Sequence, residues 1–207
     1  MKKRILIVGG VAGGASAAAR VRRLDADAEI IMFERGEHVS YSNCCLPYHL
    51  SGTVANSDSL VLMSPEMFFK QHEIQVRILS EVTAISTSDK SVTVQNLVDG
   101  TSCTEHYEKL ILSPGASPIL PKSILGIQRP HVFTVRNVRD IRMLKNYIDS
   151  HKIEQAAVIG GGFIGVEVAE NLALAGISVS LVEGAPQIMA PFDYDVVQTL
   201  HKEMMDN

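Results

Sequence analysis

The sequence predicts an α/β protein with parallel sheets in three-layer βαβ units, because one pattern of elements occurs twice. Each copy reads as an apolar strand, a glycine-rich turn, a helix and a second strand that ends in an acid. The copies span residues 4–34 and 156–183, and their closing acids are Glu34 and Glu183. Their turns begin 151 positions apart. The chain therefore contains the beginnings of two dinucleotide-binding folds. The first has enough residues before the second to be mostly complete.

The elements between and after the two copies follow from shorter patterns. Alternating apolar residues and an Asp99-Gly100 turn predict a β-rich stretch, and Asn137 is a good helix N-cap. The predicted strands are 75–79, 81–86, 91–97, 101–107, a buried strand 109–112 and a strand near 131–135, and the predicted helices are 137–150 and 195–205.

We expect two domains from this order of elements. Residues 1–150 form the N-terminal part of an FAD-binding domain, with a β-rich insertion at about 75–107, and residues 151–207 begin an NAD-binding domain. Only two strands of that second domain are present, whereas a mononucleotide fold needs at least a third. The fold class is thus FAD/NAD(P)-binding and Rossmann-like with a truncated second domain, and we expect a fragment of a longer enzyme.

Composition excludes several classes of function. The 207 residues are 46% hydrophobic, and their net charge of −4 contains no block of like charge, which argues against nucleic acid or an anionic membrane as a partner. Three cysteines cannot form a disulfide framework, so we expect a reducing compartment, the cytoplasm. The seven histidines lack metal-ligand spacing, and we expect no metal.

The glycine-rich turns predict binding of a diphosphate, since backbone N–H groups and the positive end of a helix face the ligand there. The second turn has the full spacing Gly160, Gly162 and Gly165, and Glu183 is placed to accept hydrogen bonds from a ribose diol. A carboxylate there favours NAD over NADP, because a 2′-phosphate would face a negative charge.

The first turn has glycine at the outer positions Gly9 and Gly14 but Val11 at the middle one, with Glu34 as its acid. A single match of this kind also describes a turn that only packs a helix on a strand. Two copies, each with its strand, helix and acid, favour nucleotide binding. Their order suggests FAD at the first and NAD at the second.

A cysteine motif follows the first copy. Asn43 is a good N-cap and Pro47 suits a first helical turn, so Cys44 is predicted at a helix N-terminus, where a thiolate is stabilised. The alternative is that Cys44 and Cys45 are small core residues. A disulfide between adjacent residues needs a strained peptide, so this pair is not favoured as a redox couple, and Cys103 is expected to be structural.

Four stretches are informative together: Gly-Gly-Val-Ala-Gly-Gly at 9–14, Arg-Arg-Leu-Asp at 22–25, Asn-Cys-x-Leu-Pro-Tyr at 43–48 and Leu-Ser-Pro-Gly-Ala at 112–116. They resemble the pyridine nucleotide-disulfide oxidoreductase superfamily. Within it they are similar to the single-cysteine branch, which contains the coenzyme A-disulfide reductases and NADH-dependent persulfide reductases. The resemblance covers essentially the whole chain.

The resemblance implies roles for three groups of residues. Those that would line FAD are Gly9, Val11, Ala12, Gly14, Glu34, Arg35, Val82, Ser113, Pro114 and Gly115. Those that would meet the nicotinamide dinucleotide are Gly160, Gly162, Phe163, Ile164, Gly165, Glu167 and Glu183. Those that would hold coenzyme A are Arg20, Arg23, Ser40, Asn43 and Gln71. A solvated helix face is the alternative for the two arginines.

The activity that the resemblance implies is FAD-dependent, NADH-oxidising reduction of coenzyme A disulfide or related low-molecular-weight disulfides or persulfides. Cys44 would be nucleophile and leaving thiolate, and the full-length enzyme would be a homodimer. One alternative is an NADH oxidase that cycles through a cysteine sulfenic acid. In the related oxidases and peroxidases a His stands where this chain has Ala12. Another alternative is a non-catalytic dinucleotide-binding or redox-sensing module. We expect the 207-residue chain alone to bind FAD weakly or not at all.

Overall fold

The computed structural model describes residues 3–206, which divide into two units. The first unit contains the residues up to Ser42 together with Val61–Ser117. The second contains Asn43–Leu60 and the chain from Pro118 onward. The predicted boundary near residue 150 stays a prediction, and the segment that carries Cys44 belongs to the second unit.

A four-stranded parallel sheet forms the centre of the first unit, with strand order β3-β2-β1-β7. The elements of this unit are β1 (Arg4–Val8), α1 (Ala12–Leu24), β2 (Glu29–Phe33), α2 (Pro65–His72), β3 (Ile74–Arg77), β4 (Ser80–Ser86), β5 (Ser91–Asn96), β6 (Ser102–His106) and β7 (Lys109–Leu112). The sheet confirms the α/β class, and its register sets Ile7 opposite both Met32 and Ile111.

Both faces of this sheet are covered, because alternate side chains of a strand point to opposite sides. Ile7 and Met32 pack with Ala18 of α1 on one face. On the other face, Leu6, Ile31 and Phe33 pack against Val92 and Val94 of β5. This produces three layers, and it explains why β1 and β2 are continuous apolar runs rather than alternating ones.

The first strand of the predicted β-rich insertion at about 75–107 belongs to the parallel sheet rather than to the antiparallel strands. Ile74–Arg77 pairs with β2 as the edge of the parallel sheet, since buried Ile74 packs in the core beneath α1. The antiparallel meander is β4-β5-β6 alone. Its second hairpin turns at Asp99-Gly100 as predicted, with Gly100 at φ +75°.

An ion cluster ties the meander to the parallel sheet. Glu105 of β6 accepts from Arg4 at 2.7 Å and from Arg77 at 2.5 Å, and its side chain is only 13% exposed. The Arg77 guanidinium also lies over the Phe33 ring, 5.5 Å from its centroid. Burial raises the pKa of the Glu105 carboxyl, but the bonds to Arg77 and Arg4 outweigh burial and hold this pKa below its ordinary value.

The second unit contains the repeated pattern. Its elements are α3 (Val138–His151), β8 (Gln155–Ile159), α4 (Phe163–Leu174), β9 (Ser178–Val182) and α5 (Tyr194–Asp206), with 3-10 turns at Asn43–Cys45, Pro47–His49 and Ser57–Leu60. The strands β8 and β9 pair in parallel. Asn137 caps α3 as predicted, accepting from the N–H of Asp140 at 2.9 Å.

The secondary structure differs from the prediction at residues 131–135 and at α2. Residues 131–135 do not form the predicted strand, and within this stretch the Phe133 ring packs on Tyr147 of α3 at 5.1 Å. Helix α2 was not predicted, although Ser64 caps it and Pro65 opens it. Among the described residues, no helix is long and apolar enough to cross a membrane.

We predict that alanine is far more destabilising at Gly14 than at Gly13, its neighbour at the start of α1. A Cβ on Gly14 would lie 1.7 Å from the carbonyl oxygen of Gly9, so the backbone of one must move. Gly14→Ala should lower the free energy of unfolding by about 3 kcal/mol. Urea denaturation of the chain measures this change in stability, provided that the m-value is the same in the wild type and the variant.

Gly13→Ala is the matched control. Its Cβ would meet only the Ser113 side chain, at 3.2 Å from Oγ, which a rotation of that side chain relieves. The higher helix propensity of alanine offsets the rest, so we expect a change within about 1 kcal/mol. Equal losses in the two variants would contradict this account of the loop.

We predict that the Glu105 cluster contributes to stability above the ordinary carboxyl pKa and is lost as the pH falls through the lowered one. The unfolded state then binds the additional proton, so stability rises with pH in that window. Glu105→Gln should cost about 1–3 kcal/mol at pH 7 and flatten the acid limb of the stability curve. Exposed Glu154→Gln is the control. An acid limb as steep in Glu105→Gln as in the wild type would refute the assignment.

Candidate nucleotide-binding loops and cysteine site

The first glycine-rich loop is fixed by a close approach of backbone to backbone. Gly9 has φ +93°, and its N–H donates to the Phe33 carbonyl at 2.8 Å. A Cβ there would lie 1.9 Å from the Ser113 carbonyl oxygen. Glycine is thus required both by the conformation and by the space. Ser113 and Pro114, two of the residues predicted to line FAD, lie directly against this loop.

The N-terminus of α1 has no side chain that caps its free N–H groups. Val11 is the N-cap and has no side chain able to cap, and the first turn contains no acid. The start of α4 repeats this arrangement, since its N-cap is Gly162 and a Cβ on Gly162 would meet only open space. Uncapped N–H groups and the positive end of the helix dipole favour an anion at both positions.

Glu34 bonds to the loop that precedes it. Its Oε2 accepts from the N–H of Gly10 at 2.8 Å, and its Oε1 accepts from the N–H of Gly36 at 2.8 Å. An ionised carboxylate has about four acceptor positions, so each oxygen can accept a further hydrogen bond. The half-buried Glu34 can therefore fix the loop and still meet a diol.

The second loop reproduces this geometry. Gly160 has φ +107°, and a Cβ on Gly165 would lie 1.8 Å from the Gly160 carbonyl oxygen. Glu183 accepts from the N–H of Gly161 at 2.6 Å and of Ala185 at 2.7 Å. These two N–H groups, Ala185 first, hold the pKa of the Glu183 carboxyl below its usual range.

Both loops contain a further glycine that the motif leaves unspecified. A Cβ on Gly10 would lie 2.6 Å from Cγ1 of Val39, and a Cβ on Gly161 would lie 2.6 Å from Cγ2 of Ile188. Sequence reasoning missed this constraint. The signal was available, because in each copy an apolar residue follows the closing acid by five positions.

The residue after this apolar side chain repeats as well. Ser40 (φ +48°) donates its N–H to the Gly10 carbonyl at 2.9 Å, and Met189 (φ +49°) donates to the Gly161 carbonyl at 2.7 Å. The internal repeat therefore extends through residues 40 and 189, past the acid at which the sequence pattern ends.

Two other predicted FAD contacts, Arg35 and Val82, lie in the first unit. Arg35 donates to Ser117 Oγ at 3.0 Å and lies 3.9 Å from the Glu81 carboxylate. Val82 packs partly into the core, and the β4–β5 register shifts between Val82 and Ala84. A bulge of this kind leaves a residue out of the ladder, which exposes backbone beside Val82.

Cys44 lies in a single 3-10 turn, Asn43–Cys45, and a second such turn follows at Pro47–His49. The predicted helix is therefore reduced to two short turns, which are too short for a substantial dipole. Cys44 is exposed, and its Sγ lies 4.0 Å from Sγ of the partly buried Cys45. Neither sulfur is in a disulfide, nor is exposed Cys103.

A buried asparagine connects this segment to α4 within the second unit. Ser51 donates to Oδ1 of Asn171 at 2.7 Å, and Nδ2 of Asn171 donates to the Glu167 carbonyl at 2.8 Å. Asn171 is fully buried. Arg142 of α3 holds the same segment through Ser57 and Asp58. Sequence reasoning missed Asn171, since an asparagine inside a helix carries no signal for a partner 120 residues away.

The predicted nicotinamide contacts lie at the beginning of α4. Phe163 and Ile164 are both 58% exposed, and the Phe163 ring meets the Phe192 ring edge-on at 5.8 Å. Glu167 lies one turn further on and is half-buried. These side chains are available to a ligand at the open helix end.

The predicted coenzyme A contacts are divided between the units. Arg20 and Arg23 are exposed on α1, and Gln71 is exposed on α2, in the same unit as Ser40, whereas exposed Asn43 belongs to the second unit. A structural arginine lies between the first two. Arg22 donates to the carbonyls of His72, Glu73 and Ala26, at 2.6–3.0 Å, near the ends of α2 and α1.

The two loops fit the diphosphate and ribose of dinucleotides. Each combines a glycine cradle that a Cβ would fill, an open helix N-terminus and a carboxylate with acceptor positions left over. Within residues 3–206, no group of three or more His, Cys, Asp or Glu side chains is arranged to hold a metal ion.

The chain is similar to known proteins over nearly its whole length. The family model described as pyridine nucleotide-disulphide oxidoreductase matches residues 3–207. The coenzyme A disulfide reductase of Staphylococcus haemolyticus is 37% identical over 202 residues, which are 98% of this chain and 45% of that protein. The chain thus spans about half the length of the curated relatives it matches.

Two solved structures are similar over nearly the whole chain. The crystal structure of reduced Bacillus anthracis CoADR-RHD has a TM-score of 0.96 at 47% identity, over 100% of this chain and 37% of that one. The structure of an NAD-dependent persulfide reductase from A. fulgidus has a TM-score of 0.92 at 30% identity, over 98% of this chain and 38% of that one. Since the family model matches nearly the whole of it, the chain belongs to the pyridine nucleotide-disulphide oxidoreductase family.

Proposed function

We propose that this chain is part of an FAD-dependent, NADH-oxidising reductase of coenzyme A disulfide or of related low-molecular-weight disulfides and persulfides. The observation that carries the proposal is the exposed thiol of Cys44 in a chain with two dinucleotide loops. The coenzyme A disulfide reductase and persulfide reductase among the similar proteins support the same substrate class.

The chemistry proposed for Cys44 is thiol–disulfide exchange. Its thiolate attacks one sulfur of the substrate disulfide, so that a Cys44–S–S–R bond forms and one thiolate leaves. Two electrons and a proton then convert this mixed disulfide into the Cys44 thiolate and the second thiol. FAD, when bound, supplies this electron pair from NADH.

The residues proposed to hold the cofactors act through backbone and charge. Gly9 and Gly14 let the α1 N-terminus approach the FAD diphosphate, while Glu34 meets the adenosine ribose. Gly162 and Glu183 have the same roles for NADH. The remaining proposed contacts are Val11, Ala12, Arg35, Val82, Ser113, Pro114 and Gly115 for FAD, and Gly160, Phe163, Ile164, Gly165 and Glu167 for NADH.

Coenzyme A carries several phosphates, which suits a pair of arginines. Arg20 and Arg23 are three residues apart on α1, so their exposed side chains share one face of the helix. We include Ser40, Asn43 and Gln71 in this proposed substrate site. We place the protein in the cytoplasm, where exposed thiols stay reduced, and expect a homodimer of the full-length enzyme.

We predict that Cys44→Ser abolishes reduction of coenzyme A disulfide by the full-length gene product. A serine hydroxyl neither attacks sulfur nor leaves from it as a thiolate does, so kcat/KM should fall by about a thousandfold or more. NADH oxidation and release of thiol, measured together with both disulfide and persulfide substrates, follow the reaction.

Cys103→Ser is the matched control, since Cys103 is also exposed but lies on β6. It should keep wild-type turnover. Turnover at the wild-type rate in Cys44→Ser would overturn the mechanism. Oxygen consumption that greatly exceeds disulfide reduction would instead favour the oxidase.

We predict that Glu183→Gln changes the choice of nicotinamide dinucleotide. Loss of the carboxylate weakens the ribose contact, so NADH affinity should fall about tenfold. It also removes the negative charge that faces a 2′-phosphate, so the preference for NADH over NADPH should shrink. Titration of the full-length protein with each dinucleotide measures both effects.

Glu34→Gln makes the same local change in the other loop. It should weaken the binding of FAD and leave the ratio of NADH to NADPH affinity unaltered. A change in that ratio as large in Glu34→Gln as in Glu183→Gln would contradict the assignment of the two loops.

A further inference from the structure

We propose that Cys44 and Cys45 together form a vicinal dithiol site that captures a trivalent arsenical. Their sulfurs lie 4.0 Å apart at the surface of one 3-10 turn. This goes beyond the reductase function, which uses the Cys44 sulfur alone and assigns nothing to Cys45.

The distance between the two sulfurs distinguishes a disulfide from a bridge by a single atom. A disulfide needs an S–S bond of about 2.05 Å, so the two sulfurs would have to approach by roughly 2 Å on adjacent residues. A single bridging atom with sulfur bonds near 2.3 Å, as in thiolate–metal sites, spans separations up to about 4.6 Å. The observed 4.0 Å spacing therefore suits a bridge by one atom better than a disulfide.

The number of ligands available at this pair indicates which kind of atom can bridge the two sulfurs. Thiolates are soft ligands and prefer thiophilic centres. A tetrahedral zinc site needs four ligands, and the part of the chain that the structure describes has no group of three or more candidate side chains. Trivalent arsenic needs only two sulfurs, because it keeps its third bond to a hydroxyl or a carbon.

The reaction is a condensation with no change of oxidation state. With phenylarsonous acid, C6H5As(OH)2 + 2 RSH gives C6H5As(SR)2 + 2 H2O. Two As–O bonds and two S–H bonds break, while two As–S bonds and two O–H bonds form. Arsenic stays trivalent, and neither NADH nor flavin takes part.

Accessibility and adjacency favour capture by both sulfurs. Cys44 is exposed and reacts first, and Cys45 is partly buried beside it. The second bond is then intramolecular, with an effective concentration of millimolar or higher, so a dithiol should hold the arsenical about a hundredfold more tightly than one thiol.

The test is equilibrium binding of phenylarsine oxide, which hydrates to phenylarsonous acid, to the reduced 207-residue chain. Loss of thiol titre and intact mass report the adduct. We expect one arsenical per wild-type chain, two thiols lost, and release by a small dithiol but not by millimolar glutathione. Cys103→Ser should bind like the wild type.

Cys45→Ser and Cys45→Ala should each bind about a hundredfold more weakly and lose the arsenical to glutathione. Two different replacements guard against a folding defect, which circular dichroism checks. Binding by both Cys45 variants as tight as in the wild type would overturn the proposal, as would loss of the adduct in Cys103→Ser. No turnover is measured, so the result stands apart from the reductase assay.

Discussion

The structure depends on one constraint, the contact of a helix N-terminus with a preceding loop at a distance that no Cβ permits. In the first unit this contact joins Gly14 to the Gly9 carbonyl, and in the second it joins Gly165 to the Gly160 carbonyl. Because the helix can approach so closely, its open N–H groups lie at the edge of the parallel sheet. The anion-binding geometry is thus a consequence of packing, and a side chain at these positions would disturb both together.

The closing acids stabilise the loops as well as offering acceptors to a ribose. Glu34 and Glu183 each accept two backbone N–H groups, one from the loop and one from the turn that follows the second strand. The lowered pKa of Glu183 follows from these bonds. Both carboxylates are already oriented before a ligand arrives, which reduces the ordering cost of binding. Both copies also share the close contact of the helix with the loop and the bond from residue 40 or 189 to the loop carbonyl.

The sequence was informative where the physical cause is local. Glycine spacing, apolar strands and the cap at Asn137 depend on neighbouring residues, and the structure confirms the elements they predict. The failures involve distant partners. Ile74–Arg77 joins the parallel sheet only because Ile74 fills the core beneath α1, and the 131–135 stretch has β-type residues without the pairing that would make a strand. Within the site, the roles of Gly10 and Gly161 depend on side chains about 30 residues away.

The cysteine segment shows how position can depend on a single buried polar group. The 43–60 stretch has only short 3-10 turns, so its own hydrogen bonds cannot fix it. Asn171 supplies a fixed partner, since its side chain is fully buried and bonded both to Ser51 and to the backbone of α4. A buried amide that lost its partner would be costly, which holds the segment to this helix. The helix that begins at the second glycine loop is therefore also the element against which the segment bearing Cys44 is anchored.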